Sequence, residues 1–115
     1  MSRHDDTVRL RHMLDHAREA AAVSHGRSRD DLDSDRMLNL ALVRLMEIIG
    51  EAASRVSEES RRRHSSIAWS QIVSLRNRLI HGYDSVDMDI LWQILQEDIP
   101  LLIAELERIV PSEGV

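Results

Sequence analysis

Residues 36–56, RMLNLALVRLMEIIGEAASRV, predict an α-helix that is apolar almost all the way round. Its apolar positions recur every three or four residues, and they are Leu38, Ala41, Leu42, Leu45, Ile48, Ile49, Ala52 and Val56, with Met37, Leu40, Val43 and Met46 beside them. A helix with so wide an apolar face either lies at the centre of its domain or is covered on a second side by a partner. In a domain of this size we favour the partner.

An amphipathic stripe with the same period precedes this helix. It ends at residues 24–26, Ser-His-Gly, and consists of Leu10, Met13, Leu14, Ala17, Ala20 and Ala21. Between the two helices, the polar and acidic residues 27–35 predict a loop. Ser34 or Asp35 is placed to cap the central helix.

Two more helices are predicted downstream. The third covers residues 67–80 and is stopped by Gly82. Asp87 is placed to cap the last helix, which Pro100 should kink or restart. No segment shows the alternating pattern of a strand. The sequence therefore predicts one all-α domain over residues 1–115, a bundle of four or five helices.

The composition excludes several classes of chemistry. The chain has 115 residues and a net charge of −5, which argues against a generic polycation that coats nucleic acid. It contains no cysteine, and this removes disulfides, thiolate metal sites and cysteine nucleophiles. With no Phe and one Tyr, it has almost none of the aromatic platforms on which bases stack. All fifteen basic side chains are Arg, so no lysine is present for Schiff-base chemistry.

The charge is distributed unevenly along the chain. Residues 1–54 contain 8 Arg and 10 acidic residues, residues 55–83 contain 6 Arg and 2 acidic residues, and residues 84–115 contain 1 Arg and 8 acidic residues. An anionic ligand would therefore bind most naturally to the middle segment, which includes the third helix. Within that segment, the three consecutive arginines at 61–63 either contact an RNA backbone or form a solvated turn.

The N-terminus lacks the features of an export signal. Residues 1–12 are polar and charged where such a signal needs an apolar core. No apolar run approaches the ~20 residues that span a bilayer. The sequence therefore predicts a cytoplasmic protein that does not bind a membrane.

One position breaks the apolar pattern of the third helix. On a wheel of about 100° per residue, Arg76 falls about 20° from the centre of the apolar stripe. That stripe consists of Trp69, Ile72, Val73, Leu79 and Ile80. Arg78 points the opposite way, toward solvent. Because a buried guanidinium needs an anionic partner, Arg76 predicts either a structural ion pair with a core-facing acid such as Glu51 or a bound anion.

His81 lies five residues after Arg76 and directly before Gly82. On an unbroken helix the two side chains would point about 140° apart. Gly82 favours unwinding at this point, which would let the imidazole turn toward Arg76. His81 is equally typical of a residue at a helix C-terminus, where the macrodipole favours it.

Residues 76–83, RNRLIHGY, resemble the R-x4-H-x-Y signature of the HEPN superfamily, in its HepT-like toxin branch. The surrounding pattern is similar as well: residues 49–52 (Ile-Gly-Glu-Ala) and Trp69 precede the motif, and Leu91-Trp92 and Pro100 follow it. The resemblance extends over residues 8–110 and implies a single HEPN-type, HepT-like domain.

The resemblance implies a metal-independent endoribonuclease that acts as a homodimer, with both motifs facing a shared cleft. His81 would transfer protons when a ribose 2′-hydroxyl attacks the neighbouring phosphodiester of RNA, and Arg76 would stabilise the charge that gathers on the phosphate. Asn77 would orient the phosphate or His81. The products would carry a 2′,3′-cyclic phosphate and a 5′-hydroxyl, and the reaction would use no cofactor and no metal ion.

The resemblance also implies regulation by a partner protein. In this family the tyrosine of the motif, here Tyr83, is the target of AMP transfer by a cognate MntA-type nucleotidyltransferase antitoxin, in a type VII-like toxin–antitoxin pair. An AMP group beside Arg76 and His81 would fill the site with bulk and negative charge and so silence it.

Two alternatives to the ribonuclease remain at this point. One is a non-catalytic HEPN module that binds nucleotide through Arg76 and His81 and regulates or scaffolds a partner nucleotidyltransferase. The other is a helical dimerisation protein without a ligand.

Overall fold

Helices make up most of the computed structural model, which describes residues 3–81 and 85–111. The helices are α1 (Arg3–Ser24), α2 (Asp31–Ser34), α3 (Arg36–Ser54), α4 (Glu58–Arg63), α5 (Trp69–Val73), α6 (Leu75–Leu79), α7 (Met88–Gln93) and α8 (Ile99–Ile109), with a π-helical turn over Ile94–Asp98 between the last two. Two short strands, β1 (Ile80–His81) and β2 (Ser85–Val86), pair antiparallel and lie between α6 and α7. The prediction of an all-α bundle is confirmed.

The helix predicted from residues 36–56 is α3, and it lies at the centre of the bundle. It packs against α1, α2, α5 and α6, which bury Leu38, Leu42, Leu45, Met46, Ile49, Ala52 and Ala53. Of its large apolar side chains, only Met37 and Leu40 are exposed in the described part of the chain, at 82% and 51%. Neighbouring helices therefore cover most of the apolar width that the sequence assigns to a partner, and dimerisation stays a prediction.

The turns around α1 and α3 follow the sequence signals closely. Gly26 follows α1 with a φ of 75°, in the left-handed region that favours glycine. The carboxylate of Asp35 accepts a hydrogen bond of 3.0 Å from the backbone N–H of Leu38, so Asp35 is the N-cap of α3. Ser34 belongs to α2, the short helix within the segment predicted as a loop. This helix forms around Leu32, which is fully buried.

Arg61 closes the C-terminal end of α3. Its guanidinium donates to the carbonyl oxygens of Ala53 and Ser54, each at 3.0 Å, and to that of Val56 at 3.2 Å. It also lies 5.8 Å from the centre of the Trp69 ring. Carbonyls in the last turn of a helix lack their usual amide partners, and a cation there also complements the helix dipole. Arg61 therefore serves the fold, an outcome that neither sequence interpretation of the three arginines included.

The third helix is broken, which the sequence did not predict. The chain turns at Ser74, where φ is −94° and ψ is 14°, and it continues as α6. The prediction that Arg76 points into the core assumes an unbroken helical period and is wrong. After the break, Leu75 and Leu79 are fully buried while Arg76 is exposed.

Gly50 allows the end of α5 to lie against α3. A Cβ atom at this position would lie 3.2 Å from the carbonyl oxygen of Ile72 and 3.3 Å from that of Val73. Both distances are shorter than ordinary van der Waals contact, so the two backbones lie closest together at a residue without a side chain. This contact lies immediately before the break at Ser74.

The interruption predicted at Pro100 takes the form of the π-helical turn. Pro100 lies in the first turn of α8, and because it has no N–H it cannot donate to the carbonyl oxygen of Gln96. A single π-helical turn is a common irregularity inside long helices. Neither this composite helix nor any other helix of residues 3–81 and 85–111 is long and apolar enough to cross a membrane.

We expect Gly50→Val to lower the free energy of unfolding by about 1–3 kcal/mol. The side chain of the valine would clash with the carbonyl oxygens of Ile72 and Val73 at the end of α5. Urea titration followed by circular dichroism measures this change. Ala41→Val, at an exposed position of the same helix, is the matched control and should stay within about 0.5 kcal/mol of the parent. Equal stability of the two variants would show that α3 and α5 do not meet as described.

Candidate active site

The short helix α6 presents the first half of the motif. Leu75 and Leu79 anchor it in the core, and Arg76 and Asn77 between them are exposed. The chain then enters the β1–β2 pair, where Ile80 lies opposite Val86 and His81 opposite Ser85. Together these elements hold the motif at the edge of the bundle rather than within it.

Arg76 is an exposed cation with a single carboxylate partner among the described residues. Its side chain is 62% exposed, and its Nε donates to Oε2 of Glu47 at 3.0 Å. The predicted partner, Glu51, instead accepts from Arg55 at 2.9 Å. The expected ion pair between Arg76 and an acidic residue is therefore confirmed. The expectations that Arg76 is buried and that Glu51 is its partner are wrong.

Glu47 is the residue at this site that the sequence reasoning missed. It lies on α3, one turn before Glu51, and its side chain is 29% exposed. Its bond to Nε of Arg76 restrains the plane of the guanidinium. In the described part of the chain, the two Nη groups of Arg76 make no hydrogen bond, so they remain open to an anion. The signal in the sequence was an acidic residue inside a mostly apolar helical stretch.

Arg78 does not point freely into solvent, as the helical wheel predicted. Its Nη1 donates to Oδ2 of Asp98 at 2.7 Å, and the two side chains are 28% and 16% exposed. This short, charge-assisted contact joins α6 to the π-helical turn. Arg78 therefore lies half-buried at the flank of α6 and serves as a structural residue.

The remaining motif residues of interest are Asn77, His81, Gly82 and Tyr83. Asn77 is exposed, beside Arg76, and within the described residues it makes no hydrogen bond. His81 is placed by its backbone in β1, one residue beyond the predicted end of the helix. Gly82 and Tyr83 lie outside the described residues. The roles of Asn77, His81 and Tyr83 stay predictions.

The arrangement is suited to binding an oxyanion. A guanidinium with one edge held by a carboxylate and its Nη groups free can donate two hydrogen bonds to a phosphate. Among the described residues, no three His, Asp or Glu side chains converge as they would around a metal ion.

Known proteins with similar sequences are ribonucleases by name. A family model described as "Ribonuclease HepT-like" matches residues 13–109. A Methanocaldococcus jannaschii protein named "Putative RNase" is 32% identical over 93% of this chain and 98% of its own length. A Caldanaerobacter subterraneus protein, also named "Putative RNase", is 35% identical over 90% of this chain and 93% of its own length. The "Probable ribonuclease HepT" of Thermococcus cleftensis is 36% identical over 70% of this chain and 73% of its own length. No solved structure gives a significant match.

The two arginines of α6 should differ in their contribution to stability. Asp98→Asn leaves a half-buried guanidinium without a carboxylate, and we expect it to cost about 1.5–3 kcal/mol of unfolding free energy. Glu47→Gln affects an exposed ion pair and should cost less than about 1 kcal/mol. Urea unfolding of both variants measures the difference. The reverse order would mean that Arg76, not Arg78, supports the fold.

Proposed function

Because the chain belongs to the family of HepT-like ribonucleases, we propose that it is a metal-independent endoribonuclease whose reaction is carried by Arg76 and His81. The observation that carries the proposal is the exposed Arg76 guanidinium, which Glu47 holds through Nε while both Nη groups stay open. Because an exposed ion pair adds little stability, its contribution here is to orient a guanidinium whose remaining donors suit a phosphodiester.

The reaction needs only groups that the chain and the RNA supply. A ribose 2′-oxygen forms a bond to the adjacent phosphorus, and the bond from phosphorus to the 5′-oxygen breaks. The 2′-hydroxyl loses its proton to the imidazole of His81, and the resulting imidazolium returns a proton to the departing 5′-oxygen. Arg76 stabilises the additional negative charge on the phosphate oxygens at the midpoint of this exchange. The products are a 2′,3′-cyclic phosphate and a 5′-hydroxyl, and Asn77 orients the phosphate.

The regulatory part of the proposal concerns Tyr83. A cognate MntA-type nucleotidyltransferase joins the tyrosyl oxygen to the α-phosphorus of ATP, and pyrophosphate leaves. The phosphate that is added to Tyr83, two residues from His81, competes with RNA for Arg76 and thereby silences the toxin. A homodimer completes the assembly, and the exposed Met37 and Leu40 on α3 support an additional contact surface.

Substitution of the motif should abolish cleavage without unfolding the chain. We expect Arg76→Ala and His81→Ala to lower the rate of RNA cleavage by about 100-fold or more, because each removes charge stabilisation or proton transfer in the transition state. The assay incubates each purified protein with bulk tRNA and mRNA in EDTA and tests the product ends for cyclic phosphate. Arg36→Ala, at an exposed arginine at the start of α3, is the matched control and should cleave at the parent rate.

Two results would contradict this proposal. Cleavage that survives both motif substitutions would place the activity elsewhere. An unmodified parent protein, verified by intact mass, that cleaves neither RNA would favour the nucleotide-binding module instead.

Tyr83→Phe should separate activity from its control. The variant lacks the acceptor oxygen but retains Arg76 and His81, so we expect it to cleave RNA at a rate close to the parent's. After incubation with the cognate nucleotidyltransferase and ATP, the parent should gain the mass of AMP and lose activity, whereas the variant should do neither. Silencing of Tyr83→Phe to the same extent as the parent would exclude this tyrosine as the acceptor.

A further inference from the structure

A groove of about 380 Å³ runs between the first half of α1 and the second half of α3. Its lining includes Arg9 from α1, Arg44 from α3 and Arg55 directly after α3, together with the carboxylates of Glu47 and Glu51. We call it the α1–α3 groove. It lies on the surface that also holds the partner of Arg76.

The groove carries more positive than negative charge, in a chain whose net charge is −5. Glu51 is engaged by Arg55 at 2.9 Å, and Glu47 is engaged by Arg76 at 3.0 Å. Neither carboxylate is therefore left to neutralise Arg9. Arg44 approaches Glu47 only to 4.0 Å and is 70% exposed.

Among the arginines of the groove, Arg9 gives the strongest argument for an anionic ligand. It is partly buried, yet among residues 3–81 and 85–111 it makes no hydrogen bond and no ion pair. Its guanidinium donors are therefore not used by the described part of the chain and can donate to an anion. Its surroundings therefore suit an anionic ligand that enters the groove from outside.

Glu47 connects the groove to the motif. One of its oxygens holds Nε of Arg76, and the other lies 4.0 Å from Nη1 of Arg44. A chain of phosphates that ended at Arg76 would thus pass Arg44 and then Arg9. Backbone phosphate contacts of this kind position a nucleic acid without selecting its sequence.

We propose that the α1–α3 groove binds the phosphates of a single-stranded RNA next to the one that is cleaved, with Arg44 and Arg9 as the contacts. This inference rests on the proposed ribonuclease function and adds the path of the substrate. The recognition is electrostatic, which suits a chain with no Phe, one Tyr and two Trp.

The test uses a fluorescent single-stranded RNA that is 2′-O-methylated throughout. This RNA lacks the 2′-hydroxyl that attacks the phosphodiester, so it is bound without being cleaved. Its affinity for the parent protein is measured by anisotropy from about 50 to 200 mM salt. Each phosphate contact contributes about 0.7 to the slope of log K against log salt for a single strand. We expect Arg9→Ala and Arg44→Ala each to weaken binding and to reduce that slope by about 0.7.

Arg108→Ala is the matched control for Arg44→Ala. Both arginines are 70% exposed and pair with a glutamate three residues away, but Arg108 lies on α8 outside the groove. It should leave affinity and slope unchanged. Light scattering of every variant reports whether the oligomeric state has changed.

The outcomes separate this inference from the proposed function. Unchanged slopes for Arg9→Ala and Arg44→Ala, beside normal cleavage by the parent, would overturn the groove and leave the ribonuclease intact. Reduced slopes without any cleavage would support the groove as an RNA surface and contradict the catalytic proposal. A change of oligomeric state in Arg9→Ala with no change in slope would identify the groove as a protein interface and falsify the inference.

Discussion

The backbone contact between α3 and the end of α5 is the constraint on which the site depends. At Gly50 the carbonyl oxygens of Ile72 and Val73 occupy the space that a side chain would need. The chain changes direction immediately afterwards, at Ser74, and α6 begins with a different face toward the core. Leu75 and Leu79 then complete the hydrophobic core, and Arg76 faces solvent. The orientation of the motif therefore depends on a residue of the central helix, far from it in sequence.

The two arginines of α6, Arg76 and Arg78, have different roles because they are buried to different extents. Arg78 and Asp98 are mostly withdrawn from water, so their contact is strong and holds α6 against the π-helical turn. Arg76 and Glu47 meet in a more aqueous environment, where an ion pair orients a side chain without adding much stability. Since Arg78 secures the helix, the remaining donors of Arg76 are available to a ligand.

Local signals in the sequence predicted α1 and α3 well, because caps and glycine turns act within a few residues. Asp35 and Gly26 lie where their chemistry indicates. Arg76 was recognised as unusual, but its direction was wrong, because a wheel assumes one period and cannot register the break at Ser74. Glu47 and the role of Arg61 depend on contacts between segments distant in sequence, which no local pattern contains. The family resemblance found the motif from residue identity alone.

The exposure of Arg76 has an evolutionary consequence. A residue held at the surface by one ion pair contributes little to folding, so a single codon change could remove it and leave the bundle intact. Selection against RNA cleavage could then retain the protein for other interactions. Under the proposed function, an active ribonuclease and an inert descendant with this fold would differ by one side chain and would be nearly equal in stability.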